Sequence, residues 1–513
     1  MYTFSSKLKT FSFILMAVGI LGIGYGFLKA PKNIEEVKTL LAKEASEHGG
    51  EHGEATAAPH ETAEATSHAE SSEAVHHEEA AAAHVEAAVN TDSVLSSKDT
   101  VIAKEVVKEG QSEETHAAPV VKLEVKGDKH AEVSHEEHDP NAHAEHVLHQ
   151  LQNKPWSALY VACIFFLLLS MGVLAFYAIQ QVAQAGWSPV LFRVMQGITA
   201  YLPVASVIFF IILVLCGLHF NHIFVWLEKG ITDPNSANYD EIIAGKHGYL
   251  NFPFWIVRAG IFLLGWNLYR HYSRKNCLAQ DDANDDLNYK KNFKLSAGFL
   301  VFFIVSESIM SWDWIMSFDP HWFSTLFGWY VFASFFVSGI TTIALVTIYL
   351  KSKGYLEYVN TSHIHDLAKF MFGISIFWTY LWFSQFMLIW YANIPEEVTY
   401  FITRIQLYNL PFFGAVVMNF VFPLLILVNT DFKRLSWVIV MAGTVILLGH
   451  YVDFFNMIMP GTVGDKWFIG IPEISSILFF LGLFIFVVFT ALTKAPLLAK
   501  RNPFIEESKH FHY

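Results

Sequence analysis

Ten apolar segments, each about as long as a membrane-spanning helix, constrain this chain more than any other feature of its sequence. A helix rises about 1.5 Å per residue and the bilayer core is about 30 Å thick, so about 20 apolar residues span it. Lipid offers no partner for backbone polar groups, so such segments fold as helices. The segments are 11–30, 157–181, 197–220, 252–270, 294–314, 324–350, 368–392, 406–428, 435–457 and 473–493. The sequence therefore predicts an all-α polytopic membrane protein with about ten transmembrane helices, in line with its 53% hydrophobic residues and 46 Phe.

Residues 1–30 are predicted to form an N-terminal transmembrane anchor helix. Lys7 and Lys9 precede the apolar run, as they also would in a cleaved signal peptide, which is the alternative. The run exceeds the usual signal-peptide core of about 7 to 15 residues, and no A-x-A-like cleavage site follows it. A retained helix is therefore favoured.

Residues 31–150 are predicted to be a long disordered segment. They include no aromatic residue and carry 26 acidic residues against nine lysines, a net charge of −17 that leaves the rest of the chain at +4. Such a composition buries too little apolar surface to offset the entropy of ordering. Fourteen of the 24 histidines lie here. They could collect Zn²⁺ or Cu²⁺, but their irregular spacing favours a soluble tether.

The short loops predict the orientation in the membrane, because cytoplasmic loops collect Lys and Arg. If the N-terminus is cytoplasmic, the inner loops hold the basic clusters at 270–291, 351–353 and 433–434, whereas the outer loops are nearly bare. Both termini are therefore expected in the cytoplasm of a bacterium, with residues 31–150 in the periplasm. The domains are then the anchor, the acidic segment, a nine-helix membrane domain over 151–495 and a cytoplasmic tail over 496–513.

Two carboxylates in the fifth apolar segment are candidates for proton transfer. Glu307 lies about 9 Å deeper than Asp313 at 1.5 Å per residue. A carboxylate inside a membrane costs about 2.5–3.5 kcal/mol on insertion scales, so Glu307 requires a partner, a file of water or protonation. A structural, hydrogen-bonded carboxyl group is the alternative for Glu307, and a turn cap is the alternative for Asp313.

A second cluster comprises His450, Tyr451 and Asp453. His450 and Asp453 are three residues apart and share one face of a helix. An imidazole oriented by a carboxylate passes protons near neutral pH, and a quinol that loses two electrons releases two protons to such groups. A His–Asp contact that only joins two helices is the alternative.

Weaker candidates lie near the helix ends. His219, His222 and Trp226 are predicted either to line a quinone head-group pocket or to belong to the membrane interface. Arg258 requires a counter-charge, for which Glu307 and Glu473 are the candidates. Asp366 marks the cytoplasmic mouth of a helix and either admits protons or is simply solvated.

Several functions are not indicated by the sequence. The three cysteines, Cys163, Cys216 and Cys277, lack the CxxC spacing of metal ligands, and no metal site is predicted. Haem b is disfavoured because few histidines lie in the predicted spans. No phosphate-binding loop, nucleophile arrangement or nucleic-acid footprint is present.

Two stretches, Ser311–Gly328 (SWDWIMSFDPHWFSTLFG) and Lys246–Phe254 (KHGYLNFPF), resemble the NrfD-like, polysulfide-reductase-like membrane subunits of alternative complex III. That assembly is a bacterial quinol:cytochrome c oxidoreductase. The resemblance covers most of residues 155–495. The additional first helix and the His-rich segment are more similar to its F subunit than to its C subunit.

The resemblance implies two four-helix bundles with flanking helices in the inner membrane, beside a sister NrfD-like subunit. It implies an iron–sulfur subunit and multihaem cytochrome c subunits as periplasmic partners, with lipids and a terminal oxidase as further candidates. Electrons from menaquinol would pass to the haem c and iron–sulfur centres of those partners, and this chain would bind no cofactor directly, with menaquinol as a candidate ligand. The sequence lacks the D-x-G-R-P-type segment of quinol-binding relatives, which favours a supporting role with a proton path through Glu307, Asp313, His450 and Asp453. A proton-coupled secondary transporter and a non-conducting assembly scaffold are the rival functions.

Overall fold

The computed structural model describes residues 2–48 and 140–512 of the chain, which form helices and short turns and, within these ranges, no strand. The α-helices, numbered in chain order, are α1 (Ser6–Lys29), α2 (Ile34–His48), α3 (Pro140–Val182), α4 (Phe192–Ile198), α5 (Leu202–Gly217), α6 (Glu241–Gly245), α7 (Phe252–Gln280), α8 (Leu287–Trp314), α9 (Phe327–Ser352), α10 (Thr361–Ala392), α11 (Pro395–Gln406), α12 (Asn409–Val416), α13 (Phe422–Leu427), α14 (Ser436–Val463), α15 (Ile471–Leu492) and α16 (Ile505–Lys509).

Nine helical spans among the described residues are long and apolar enough to cross a membrane. Three of them join consecutive elements, over Pro189–Gly217, Leu287–Phe318 and Asn409–Leu427. The remaining predicted segment, 252–270, corresponds to α7. This helix is 29 residues long, but its hydropathy is lower than that of the nine spans. Arg258 and Asn267 contribute to that difference. The prediction of an all-α, membrane-embedded protein is confirmed.

The long helices pack as two four-membered rings. In the first bundle α3 contacts α5 and α8, and α7 contacts both of these helices in turn. In the second bundle α9 contacts α10 and α14, while α12 and α13 close the ring against them. Helices α1 and α15 flank the bundles, and α15 packs on α3. This is the predicted architecture of two four-helix bundles with flanking helices.

Helix α3 begins well before the apolar run that predicted it. It is 43 residues long, and about four of its turns precede Pro155. Val147 and Leu148 on this extension pack with Val37 of α2 in a small apolar cluster. Residues 34–48 and 140–150 are therefore helical although they belong to the range predicted as disordered, because each offers a few apolar side chains to the other. The remainder of that range, 49–139, lies outside the described residues.

The helix over 409–427 is interrupted at mid-length. A turn of π-helix, Val417–Val421, separates α12 from α13. Pro423 lies two residues after this turn and has no N–H to donate to it, which accounts for the irregular backbone at this point. Asn419 in this turn is fully buried and lies against Gly449 of α14.

The two bundles meet where α3 and α9 cross with their backbones in close approach. A Cβ atom at Gly339 of α9 would lie 2.7 Å from Val173 N and 2.8 Å from the Gly172 carbonyl carbon. Small residues allow such contact between membrane helices, and dispersion attraction then replaces the hydrophobic effect as the force that joins them.

We expect Gly339→Ala to lower the thermal stability of the protein in detergent, by about 1–3 kcal/mol, because the added methyl group meets backbone that cannot move aside. Gly373→Ala is the matched control, since nothing lies within 4 Å of a Cβ atom at that position of α10. The control should be neutral or slightly stabilising, because alanine favours helix. Equal melting temperatures for the two variants would contradict the close packing of α3 on α9.

Candidate functional site

Asp453 of α14 is the centre of a buried hydrogen-bond network in the second bundle. Its carboxylate accepts hydrogen bonds from the Tyr330 hydroxyl, from the Ser334 hydroxyl at 2.8 Å and from the Trp378 indole N–H at 2.9 Å. Tyr330 and Ser334 belong to α9 and Trp378 belongs to α10. Three helices therefore converge on one carboxylate that is 1% exposed.

His450 joins the same network through Ser334. The Ser334 hydroxyl lies 2.9 Å from His450 Nδ1, whereas the direct distance from Nδ1 to Asp453 Oδ2 is 3.8 Å. A hydroxyl group both donates and accepts, so it can receive a hydrogen bond from Nδ1–H while it donates to the carboxylate. His450 Nε2 is buried and has no hydrogen-bond partner among the described residues. The three side chains can thus pass a proton between imidazole and carboxylate.

Tyr451 faces away from this network. Its ring packs edge-on against Phe165 of α3, with the ring centroids 5.4 Å apart. Its hydroxyl is buried, and no described residue accepts from it or donates to it. Although Tyr451 is adjacent to His450 in the sequence, it belongs to the interface with α3.

A row of small hydroxyl side chains extends from the network along α9. Ser338 donates to the Ser334 carbonyl at 2.8 Å, and Thr341 continues the row on the same face of α9. From Tyr330 to Thr341 this row is about 17 Å long at 1.5 Å per residue. Within the described part of the chain, the buried hydroxyl of Thr341 has no hydrogen-bond partner. Such a group is normally satisfied by internal water, so the row offers a site for a water molecule next to the network.

Arg258 and Asp313 form a buried ion pair in the first bundle. Arg258 Nε and Nη2 donate to the two carboxylate oxygens at 2.7 and 3.0 Å. The rings of Tyr249 and Phe254 lie 4.0 and 4.3 Å from the guanidinium carbon, and Trp255 donates to the Asp313 carbonyl. The prediction that Glu307 or Glu473 supplies the counter-charge for Arg258 is therefore wrong, because Asp313 supplies it. Spacing along the chain does not reveal that the start of α7 and the end of α8 face each other.

The two residues proposed as that counter-charge lie elsewhere. Glu473 accepts from the Gly470 N–H at 2.8 Å and caps the start of α15. Glu307 is 5% exposed, and within the described residues its carboxylate is hydrogen-bonded only by Ser308 and Ser311, at 3.2 and 3.3 Å. Each of these hydroxyls has a single proton and also lies within hydrogen-bond distance of a backbone carbonyl, so the two serines satisfy the Glu307 carboxylate only in part.

The candidates for a single proton path thus fall into separate groups. No hydrogen bond or ion pair joins Glu307, the Arg258–Asp313 pair and the Asp453 network in the part of the chain that the structure describes. Asp366 forms an ion pair with Lys369 at 3.1 Å in the first turns of α10. Among these groups, only the Asp453 network combines an imidazole, a carboxylate and a bridging hydroxyl.

His219, His222 and Trp226 follow one another at the end of α5 but have different surroundings. His219 is exposed and has a left-handed backbone with φ +60°. The His222 ring stacks on His149 of α3, with centroids 4.7 Å apart. Burial and the neighbouring His149 lower the pKa of His222, so its imidazole is neutral at neutral pH. Trp226 is buried against Phe224 and Trp255.

The two stretches that carry the family resemblance are in contact. Lys246 donates to the Pro320 carbonyl at 2.5 Å, and His321 Nε2 lies 2.6 Å from Asp240 Oδ2. Partial burial lowers the pKa of the Lys246 ammonium group. Between the stretches lies a cavity of about 460 Å³, which is lined largely by aromatic and apolar residues: Tyr249, Leu250, Trp312, Met316, Trp322 and Phe323. Its volume and apolar lining are typical of small-molecule sites.

Neither a family model nor a curated protein matches this sequence.

Sequence reasoning did not find the partners of the Asp453 network. Tyr330, Ser334 and Trp378 are 123, 119 and 75 residues away from Asp453. The only sequence signal was the recurrence of small polar residues at spacings of three and four along an otherwise apolar α9, which places them on one face.

Proposed function

We propose that the chain is an integral membrane subunit of a bacterial respiratory quinol:cytochrome c oxidoreductase of the alternative complex III type. The observation that carries the proposal is the buried Asp453–Ser334–His450 network, which lies inside a lipid-spanning bundle and can accept and pass protons. The resemblance of residues 246–254 and 311–328 to NrfD-like subunits supports the same assignment.

In the proposed function, electrons and protons from the quinol follow separate routes. Oxidation of menaquinol yields quinone, two electrons and two protons. The electrons pass to iron–sulfur and c-type haem centres in the periplasmic partners, beside a sister NrfD-like subunit. This chain supports the reaction by holding and moving protons through Asp453, His450 and the hydroxyl row of α9.

The orientation is proposed from charge. The loops that carry most Lys and Arg would face the cytoplasm, together with both termini, and residues 31–150 would lie in the periplasm of the inner membrane. The aromatic cavity between residues 246–254 and 311–328 would then face the periplasmic partners. Its lining is suitable for the ring of a quinol or for a lipid chain.

Deletion of the gene tests the proposal. Membranes from the deletion strain should lose menaquinol-dependent reduction of cytochrome c, and a plasmid copy should restore it, because the complex cannot form without this subunit. Haem and iron–sulfur contents should be compared in the same membranes. Unchanged quinol oxidation in the deletion strain would contradict the proposal.

The interrupted helix formed by α12, Val417–Val421 and α13 favours a second function. Broken helices at mid-membrane often form the ion and substrate sites of secondary transporters, and buried Asn419 lies in this break. A proton-coupled transporter would keep quinol oxidation after deletion but lose proton-dependent uptake of its solute. The same deletion strain therefore distinguishes the two functions.

A further inference from the structure

A cluster of two histidines and a glutamate lies at the junction of α3 with the loop after α5. The imidazole nitrogens of His149 and His222 and a carboxylate oxygen of Glu228 all lie within 4.8 Å of one another. His149 belongs to the extension of α3 before Pro155, and Glu228 follows a short 3-10 turn at Val225–Leu227. All three side chains are half-buried, so ions in solution can reach them.

From this geometry we infer that His149, His222 and Glu228 form a binding site for a divalent transition-metal ion such as Zn²⁺. Two imidazoles and one carboxylate are a ligand set that Zn²⁺ uses when its fourth position is open to water. Imidazole donors disfavour Mg²⁺ and Ca²⁺, which prefer oxygen ligands. Donor atoms around tetrahedral Zn²⁺ at about 2.1 Å from the metal lie about 3.4 Å apart. The ligand atoms therefore lie close enough for rotation of the side chains to bring them around one ion.

The backbone around His222 is held in a way that suits a ligand. Asn153 Nδ2 donates to the His222 carbonyl, and the His222 N–H donates to Asn153 Oδ1, both at 3.0 Å. Asn153 lies four residues after His149, so the anchor and the first ligand share one face of α3. The two rings are stacked with an interplanar angle of 13°, so one ring must turn before both nitrogen lone pairs, which lie in the ring planes, point at the same ion.

The site has a defined structural consequence. A bound ion would join the start of α3 to the loop between α5 and α6, and would stabilise the folded state by mass action. This inference does not depend on the proposed respiratory function, because it concerns only ligands and helix ends.

The test is a Zn²⁺ titration of the purified full-length protein after treatment with a chelator. Bound zinc per chain and the melting temperature should be measured together. Thirteen other histidines lie within residues 31–150 and offer further imidazole ligands for zinc, so the rise in melting temperature is the local readout. Wild type is expected to melt at a higher temperature with Zn²⁺, and the chelator should reverse the change.

His149→Ala and His222→Ala should each lose the zinc-dependent rise in melting temperature and one tightly bound zinc per chain. Their zinc affinity should fall at least about 100-fold, since even groups that only orient ligands contribute about 10- to 100-fold. Glu228→Gln, which preserves shape, should weaken binding in the same direction. His271→Ala is the control, because His271 is exposed on α7 and does not belong to the cluster.

The variants must first show the melting temperature of metal-free wild type, which separates loss of the ligand from loss of packing. If a histidine variant melts below metal-free wild type, the zinc response of Glu228→Gln decides the test in its place. The inference is overturned if wild type shows no tight zinc and no thermal shift. It is equally overturned if Glu228→Gln and both histidine variants bind and respond as His271→Ala does.

Discussion

Asp313→Asn is expected to destabilise the protein by about 3–5 kcal/mol, because it leaves the Arg258 guanidinium group buried without a counter-charge. Asp313 is fully buried and Arg258 is 7% exposed, so water cannot replace the lost partner. Arg258 would retain one hydrogen bond to the amide oxygen at position 313, the Tyr249 carbonyl at 3.2 Å and the two aromatic rings beside it, but it would have no negative charge to pair with. The loss should appear as a lower melting temperature and as a lower yield from membranes.

A double variant separates the charge effect from simple loss of packing. Arg258→Met combined with Asp313→Asn removes both charges and keeps an unbranched side chain between Tyr249 and Phe254. It should be clearly more stable than Asp313→Asn alone, since replacement of a buried ion pair by neutral groups is often close to neutral. The double-mutant cycle measures the coupling free energy directly. Additive effects of the two substitutions would show that the ion pair is not the source of the stability.

Asp453→Asn is expected to lower quinol-dependent cytochrome c reduction by about 100-fold while the protein still folds and assembles. Positioned proton-transfer groups contribute about 10²- to 10⁴-fold to a reaction rate, and an amide cannot accept the proton. The amide does fit the site. Its oxygen can still accept from Ser334 and Trp378, and its NH₂ group can donate to the Tyr330 hydroxyl oxygen.

The control for this variant is Thr444→Val, an exposed position on the same helix whose hydroxyl bonds only its own helix. It should leave the rate unchanged. Haem content of the purified complex should be equal for wild type and both variants, so that assembly is compared first. If Asp453→Asn assembles and keeps full activity, this chain has a purely structural role. If the variant does not assemble, Asp453 is a group that joins the helices.

The membrane helices could be predicted from the sequence because the bilayer imposes their length. Apolar runs such as 324–350 and 435–457 correspond to α9 and α14 within a few residues. The ends of the acidic segment were less predictable. Residues 34–48 and 140–150 form helices by packing Val37 on Val147 and Leu148, a contact between positions more than 100 residues apart. Average composition over 31–150 does not reveal such a contact.

For the candidate sites, the sequence predicted individual residues but not the residues that they contact on other helices. The spacing of His450 and Asp453 places them on one helix face, but it does not show which helices that face contacts. The same limitation gave Arg258 the wrong counter-charge. His149 was counted with the acidic segment and His222 with a quinone pocket, so no metal site was predicted where the two rings stack. The amphipathic helix α11 was likewise missed, because its apolar residues occupy only one face.

Purification of the tagged chain from native membranes under mild detergent tests the account most directly. The account predicts that the chain elutes with a second polytopic membrane protein, an iron–sulfur protein and multihaem cytochromes, and that the dithionite-reduced sample shows the absorption bands of c-type haem. Elution as a homo-oligomer, without haem and without iron–sulfur protein, would contradict it.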